Sequence, residues 1–179
     1  ELGAKWLLFN GDLALRTACA IELIHIASLV KDDLPCFDDA AVRNGRPTVH
    51  SVFGEARALL AADALLAQGF ALVAATPRPG SSRALSLLKL LVIATGSLSG
   101  LGGHPEFAHI AAPHRTVRAP ESAASYHEAK TTTLFGMAAE AAAVLAGVRQ
   151  TAAWAEVGRL VASGYQMAHA LTSAAMPHS

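Results

Sequence analysis

An apolar helix with an acidic end is encoded by the stretch ELIHIASLVKDDLPCFDD, residues 22–39. The apolar residues from Ile21 to Val30 predict a helix buried on most of its surface. Four carboxylates follow within eight residues: Asp32, Asp33, Asp38 and Asp39. Because clustered carboxylates repel one another, the arrangement is costly unless a cation or a basic partner neutralises it. The pattern therefore predicts either a cation-binding segment or an acidic loop exposed to solvent.

The surroundings of the acids favour cation binding. For an arbitrary acidic run the solvated loop is the commoner outcome, but here a buried helix precedes the acids, and Arg43 and Arg46 follow them. Mg²⁺ takes oxygen ligands and usually keeps waters and substrate phosphates in its shell. His25, Ser28 and Asp32 share one helix face. Beside a metal-phosphate site, we interpret His25 as an anion-binding residue rather than a core histidine.

Composition limits the class of protein. The chain has 179 residues, 14 basic against 14 acidic, with 53% hydrophobic and 16% charged residues. Disordered chains have fewer apolar residues and more net charge, and nucleic-acid-binding proteins carry a basic excess. The length predicts a single domain over residues 1–179. The longest apolar stretches contain charged residues, so we interpret them as core helices rather than membrane spans.

Recurring alanine and leucine at helical spacing predict an all-α fold. Residues 1–10 lack the pattern of a signal peptide, and Cys19 and Cys36 form no paired framework. We therefore expect a cytoplasmic protein. The first predicted helix follows an Asn10-Gly11 turn and runs from Asp12, its N-cap, to Lys31. Four further helices are predicted: from Pro47-Thr48 to about Thr76, from Ser81 or Ser82 to Gly100–Gly103, from Pro120 to Gly147, and from Thr151 towards Ala175.

Residues 22–39 resemble the first aspartate-rich motif of trans-isoprenyl diphosphate synthases. The similarity extends from about Ala18 to Gln166, through RNGRPTVH (43–50), FGEA (53–56), ADALL (62–66) and YHEAKT (126–131). It implies an isoprenoid-synthase-like bundle of antiparallel helices around a central cavity. It also implies condensation of isopentenyl diphosphate with an allylic diphosphate by metal-assisted ionisation, in a homodimer or a heterodimer with a related synthase.

The resemblance also implies a role for individual residues. Asp32 and Asp38 match Mg²⁺ ligands, Asp33 and Asp39 match their indirect partners, Arg43 and Lys130 match contacts to the allylic diphosphate, His25 and Lys5 match substrate-binding positions, and Thr131 and Gln166 match positions near the developing carbocation. Ala27 and Ser28 lie about one turn, or ~5.4 Å, before Asp32. Their small side chains would leave a product tunnel open, which favours a C20 over a C15 product, and Ala27→Phe should shorten that product.

Several positions depart from the family pattern. His169-Ala170 stands where a second aspartate-rich motif is expected, Asn44 replaces an arginine, and Gly102-Gly103-His104 replaces Gly-Gly-Gln. We also expect that the chain is an incomplete synthase domain. These departures keep a second interpretation open, a catalytically impaired regulatory or interaction subunit. A class I terpene cyclase and a zinc site built from Cys19, His25 and Cys36 rank lower.

Overall fold

The computed structural model describes the backbone of residues 2–75, 81–96 and 123–175, and the side chains of residues 11–75, 81–96 and 130–168. Helices dominate these ranges, so the predicted all-α class is confirmed. One short hairpin is added to it. The elements are α1 (Leu2–Asp32), β1 (Val42–Arg43), β2 (Arg46–Pro47), α2 (Val49–Phe53), α3 (Glu55–Ala74), α4 (Ser82–Thr95), α5 (Ala123–Ala146) and α6 (Thr151–Ala175).

The chain divides into two compact units, residues 1–88 and 89–179. The first contains α1, the hairpin, α2 and α3, and the second contains α5 and α6. Helix α4 runs across the division.

The core of the first unit lies between α1 and α3. Its buried apolar cluster consists of Ala27, Val30, Leu34, Ala58 and Ala62, with Val49, Leu65 and Leu66 packed against it. A Cβ atom added to Gly69 of α3 would lie 3.2 Å from the carbonyl oxygen of Ala20 and 3.2 Å from Cγ1 of Ile24. Small residues therefore let the two helices approach closely, and this packing fixes the end of α1 from which the acidic segment departs.

Small residues also join α5 and α6 in the second unit. A Cβ atom added to Gly136 would lie 3.1 Å from the carbonyl oxygen of Ala155, and one added to Gly158 would overlap the carbonyl oxygen of Phe135. The rings of Phe135 and Tyr165 lie 5.8 Å apart. Glu140 of α5 accepts a hydrogen bond from Thr151 at the start of α6, whereas Phe135, earlier in α5, contacts Tyr165, later in α6, so the two helices are antiparallel.

The start of α1 differs from the prediction. The helix passes through Asn10 and Gly11, and Asp12 accepts a 2.8 Å hydrogen bond from Arg16 one turn later. Asp12 is thus an interior helical residue, and both the predicted turn and the predicted N-cap are wrong. The apolar periodicity on both sides outweighs the local turn preference of Asn-Gly, because intrinsic propensity is a weak signal.

The second predicted helix is two helices. Gly54 separates α2 from α3 with φ +86° and ψ 158°, a backbone conformation essentially restricted to glycine. The break ends α2 at Phe53, and α3 begins at Glu55. The prediction of one continuous helix from Pro47-Thr48 is therefore wrong at this position.

The remaining predicted helix ends agree with the structure where it describes them. The hydroxyl of Ser81 accepts a hydrogen bond from the amide of Ala84 at 3.2 Å, which caps α4. Helix α5 ends at Ala146 and is followed by Gly147, with φ +73° and paired bonds from Gly147 N to Val144 O and from Val148 N to Ala143 O, the Schellman arrangement. The predicted end of α4 at Gly100–Gly103 and the predicted start at Pro120 lie outside the described residues.

Two described helical stretches, Gly11–Asp32 and Glu55–Ala74, have the length and apolar composition needed to cross a membrane. Core helices of water-soluble proteins pass the same test, so this is weak evidence for membrane insertion. In this chain the two stretches pack on each other as α1 and α3.

Candidate active site

The segment after α1 folds back onto the end of that helix. The amide of Asp38 donates to the carbonyl oxygen of Asp32 at 2.9 Å, that of Asp39 to Leu34 at 3.1 Å, and that of Ala40 to Asp33 at 3.2 Å. The last carbonyls of a helix have no partner within it, and here the loop supplies their donors. Asp39 adopts φ +48°, a left-handed conformation that Asp tolerates better than most residues. The fold-back returns Asp38 to the helix end that carries Asp32 and Asp33.

The hairpin brings a cation to the same place. Asn44 and Gly45 form its two-residue loop with φ +51° and +74°, as a type I′ turn requires. Arg43 then donates from Nε and Nη2 to the same oxygen of Asp33, Oδ1, at 2.7 Å each. Its Nη2 atom lies 4.0 Å from Oδ2 of Asp38. The Asp33 carboxylate is buried, with 7% of its side chain exposed, so Arg43 supplies its counter-charge.

The pKa of Arg43 shows which carboxylates surround it. The hydrogen bond to Asp33 raises this pKa, partial burial opposes the rise, and the charges of Asp33, Asp32 and Asp38 add to it. Three carboxylates therefore act on one guanidinium. Arg43 remains a cation at every pH at which the protein is handled, and it reduces the repulsion within the acidic group.

The carboxylate oxygens at the C-terminal end of α1 suit a hard cation that takes only some of its ligands from the protein. Asp32 is buried, with 5% exposure, whereas Asp38 and Asp39 are exposed. Within the described residues, no group of three or more His, Cys, Asp or Glu side chains forms a complete cage. Mg²⁺ is usually held by one or two carboxylates plus waters and substrate phosphates, and the acids here fit that partial shell. The described residues give no support to a zinc site, and Cys19 and Cys36 are exposed thiols.

The predicted neighbours on α1 have different surroundings. Ser28 donates its hydroxyl to the carbonyl oxygen of His25 at 2.6 Å, and Nδ1 of His25 is buried. Ala27 is fully buried in the apolar cluster between α1 and α3. A phenylalanine at position 27 would therefore have to expand this cluster whatever its effect on a product tunnel.

Thr48 is a polar residue of this region to which sequence reasoning assigned no role beyond the start of a helix. Only 4% of it is exposed. Its hydroxyl lies 2.7 Å from the carbonyl oxygen of Ala40, 2.8 Å from the hydroxyl of Ser51 and 3.1 Å from Nδ1 of His50. A signal was present in the sequence, since Asn44-Gly45 predicts a hairpin that would bring position 48 back to position 41.

The other predicted site residues lie in the second unit. Lys130 in α5 is buried, with 5% exposure, and Thr131 and Gln166 are half-buried. The contact between Phe135 and Tyr165 aligns the helices so that Thr131, one turn before Phe135, and Gln166, next to Tyr165, belong to the same end of the α5–α6 pair. The side chains of Lys5 and His169 lie outside the described residues.

The family model for polyprenyl synthetases matches residues 2–169, which include both groups of predicted site residues. The chain belongs to the polyprenyl synthetase family. The family membership inferred from the aspartate-rich segment is thereby confirmed.

Three members of this family illustrate the similarity. A geranylgeranyl diphosphate synthase from Cereibacter sphaeroides is 38% identical over 157 residues, 88% of this chain and 51% of that protein. A farnesyl diphosphate synthase from Bacillus subtilis is 42% identical over 130 residues, 72% of this chain and 43% of that protein. The crystal structure of an FPP/GFPP synthase from Zymomonas mobilis matches with a TM-score of 0.73 and 34% identity, over 91% of this chain and 59% of that chain.

The match to the Zymomonas mobilis structure confirms the isoprenoid-synthase-like fold. The chain spans about half the length of the curated relatives that it matches, 51% and 43% in the two cases above. The polyprenyl synthetase fold and family are therefore shown, and the roles of the individual site residues stay predictions.

Proposed function

We propose that this chain carries the allylic-diphosphate-binding part of a trans-isoprenyl diphosphate synthase. The reaction is condensation of isopentenyl diphosphate with an allylic diphosphate to give a C20, or alternatively a C15, prenyl diphosphate. One observation supports this most directly: Asp32, Asp33 and Asp38 surround Arg43 at the end of α1, in a chain whose family model covers residues 2–169.

The chemistry follows from the charges at this end of α1. Asp32 and Asp38 would hold Mg²⁺, which when bound neutralises the charge that develops on the departing diphosphate. Arg43 fixes Asp33 through two 2.7 Å contacts and keeps positive charge beside the site, as suits stabilisation of an anionic leaving group. The exposed Asp39 would act through water.

The resemblance also assigns roles to residues of α5 and α6. Lys130 is buried and would contact the allylic diphosphate, and Thr131 and Gln166 would lie near the developing carbocation. His25 and Lys5 would bind isopentenyl diphosphate. These assignments rest on the resemblance.

We also propose a cytoplasmic location and association as a homodimer or with a related synthase. The two cysteines are exposed and unpaired, which suits a reducing compartment. Trp154, Val157 and Val161 of α6 are large apolar residues exposed at helical spacing, and contiguous apolar patches mark interaction surfaces.

Turnover by the purified protein tests the proposal. The protein is incubated with Mg²⁺, isopentenyl diphosphate and dimethylallyl, geranyl or farnesyl diphosphate, and the prenyl products are separated by chromatography. We expect a C20 product, its loss in Asp38→Asn, and its retention in Glu22→Gln, an exposed acid of α1. Absence of product with all three allylic substrates would contradict catalysis of this condensation by the chain.

Product length needs a further pair of variants. Ala27→Phe and Ser28→Phe should both shift the product towards C15 if these residues form the tunnel wall. Because Ala27 is fully buried between α1 and α3, thermal unfolding of each variant must show that the fold is kept. Unchanged product length in folded variants would refute the tunnel argument.

A non-catalytic subunit is the second candidate. It is favoured by His169-Ala170, which replaces carboxylates expected to hold a further metal ion, since imidazole suits Zn²⁺ rather than Mg²⁺. This function predicts Mg²⁺-dependent binding of an allylic analogue without turnover. It also predicts altered product length when the protein is mixed with an active synthase.

A further inference from the structure

We propose that Thr48 is a positioning residue for this site: its buried hydroxyl holds the loop of residues 38–41 in the conformation that presents Asp38 beside Asp32. The inference rests on the proposed function for its catalytic meaning. Its structural part, the contribution of the Thr48 hydroxyl to holding the loop, can be tested without substrate or metal.

Thr48 contacts the loop through both its side chain and its backbone. The hydroxyl donates to the carbonyl oxygen of Ala40 at 2.7 Å and lies 3.3 Å from that of Ala41. The Thr48 amide donates to the Ala41 carbonyl at 3.0 Å, and the Ser51 hydroxyl reaches the same carbonyl at 3.1 Å. These bonds close the base of the hairpin whose strand β1 carries Arg43.

The opposite edge of the same loop is held by α1. The amides of Asp38, Asp39 and Ala40 donate to carbonyl oxygens of the last residues of α1 and its extension. The Ala40 residue is therefore fixed twice, through its N–H by Asp33 and through its C=O by Thr48. Removing the Thr48 hydroxyl takes away the bond to the Ala40 carbonyl and leaves Ala40 held through its N–H by Asp33.

The position of Thr48 in the chain makes this use of its hydroxyl unusual. Thr48 is the N-cap residue of α2, with φ −75° and ψ 162°, yet its side chain makes no capping hydrogen bond to α2. A threonine at this position normally accepts a bond from an amide of the first helical turn. Here the oxygen serves the loop instead, so helix capping does not explain the buried hydroxyl.

The protons available fix the direction of these bonds. Thr48 has one hydroxyl proton, and the Ala40 carbonyl can only accept it. With that proton used, the 3.1 Å contact to Nδ1 of His50 is a hydrogen bond only when that nitrogen carries the hydrogen. The single proton of Ser51 lies between two acceptors, the Thr48 hydroxyl at 2.8 Å and the Ala41 carbonyl at 3.1 Å. Valine at position 48 removes the donor and the acceptor together, whereas serine keeps both.

Amide hydrogen exchange in the absence of ligands tests the structural part. We expect Thr48→Val to accelerate exchange of the Asp38, Asp39 and Ala40 amides about tenfold or more, and Thr48→Ser to leave it near that of the wild type. Thr17→Val is the matched control, since Thr17 is equally buried and donates its hydroxyl at 2.7 Å to a carbonyl within α1. Ser51→Ala, at an exposed position, provides a milder second variant and should accelerate the same amides a few-fold.

The functional part is read from the Mg²⁺ concentration that half-saturates binding of an unreactive allylic diphosphate analogue. Removing groups that orient metal ligands typically weakens metal binding by about 10- to 100-fold, and we expect about tenfold for Thr48→Val, with rescue by Thr48→Ser. A kcat that falls by a smaller factor than the apparent Mg²⁺ affinity would support the role of Thr48 as a positioning residue.

Equal amide exchange of the loop in Thr48→Val and Thr17→Val, or an unchanged Mg²⁺ requirement, would overturn the inference. Wild-type protein that binds no analogue would instead refute the proposed function and leave exchange to decide the role of the hydroxyl.

Discussion

The acidic end of α1 and the contact between α5 and α6 are held together in opposite ways. At the end of α1, hydrogen bonds from loop amides, a threonine hydroxyl and Arg43 hold the acidic segment. Between α5 and α6, Gly136 and Gly158 let two backbones meet with no room for a Cβ atom. The first contact depends on pairing of charges and donors, and the second depends on shape.

This difference indicates how each predicted site residue is positioned. Asp32, Asp33 and Asp38 owe their arrangement to a polar network that a single deletion can open. Thr131 and Gln166 owe theirs to the register of two helices, which is set by glycines and by the contact between Phe135 and Tyr165. Removing a polar side chain should therefore disturb the arrangement of the three aspartates. Adding a methyl group at a helix contact should disturb the positions of Thr131 and Gln166.

Arg43→Ala should give the largest loss of stability. It leaves the buried carboxylate of Asp33 without its counter-charge. We therefore expect the free energy of unfolding, measured in urea, to fall by about 3 kcal/mol. Because the folded-state pKa of Arg43 is raised, the contribution of its positive charge is fully present at neutral pH and is lost as the pH rises through the strongly alkaline pKa of folded Arg43. Arg16→Ala is the control, since its pair with Asp12 is more exposed, and it should cost about 0.5 kcal/mol. Equal losses would show that burial of Asp33 does not matter.

Gly158→Ala should have the next largest effect. The new methyl group would overlap the carbonyl oxygen of Phe135, so α5 and α6 must separate, at a cost of about 2 kcal/mol. Gly164→Ala in the same helix meets no atom within 4 Å and should stabilise the protein by roughly 0.5–1 kcal/mol. Thermal unfolding of the two variants distinguishes close packing from helix propensity, and a stabilising Gly158→Ala would contradict the close approach.

The ion pair between Lys31 and Asp63 should contribute least to the stability of the fold. It joins α1 to α3 at 2.9 Å, but the side chains are 33% and 56% exposed. A double-mutant cycle with Lys31→Met and Asp63→Asn should give a coupling of about 0.5 kcal/mol that falls in high salt. A coupling as large as the loss in Arg43→Ala would mean that exposure does not separate the two ion pairs.

The dipeptide Asn-Gly shows what could be predicted from sequence and what could not. At Asn10-Gly11 it lies inside α1, where the prediction had a turn; at Asn44-Gly45 it forms the hairpin turn, where the prediction assigned none. The apolar period of the flanking residues decides between these outcomes. Helix type, the Gly147 stop and the acidic segment were predictable because their signals are local. The contacts of Thr48 with Ala40 and of Arg43 with Asp33 depend on how the chain folds back, which no single window of sequence specifies.

Calorimetric titration with an unreactive allylic diphosphate analogue tests most directly whether the acidic end of α1 is a metal-dependent diphosphate site. Binding to wild-type protein and to Glu22→Gln should require Mg²⁺ and disappear with a chelator. In Asp32→Asn the affinity should fall about 100-fold, since a carboxylate ligand is lost. Equal affinity in Asp32→Asn and Glu22→Gln, or binding that the chelator does not change, would contradict the account.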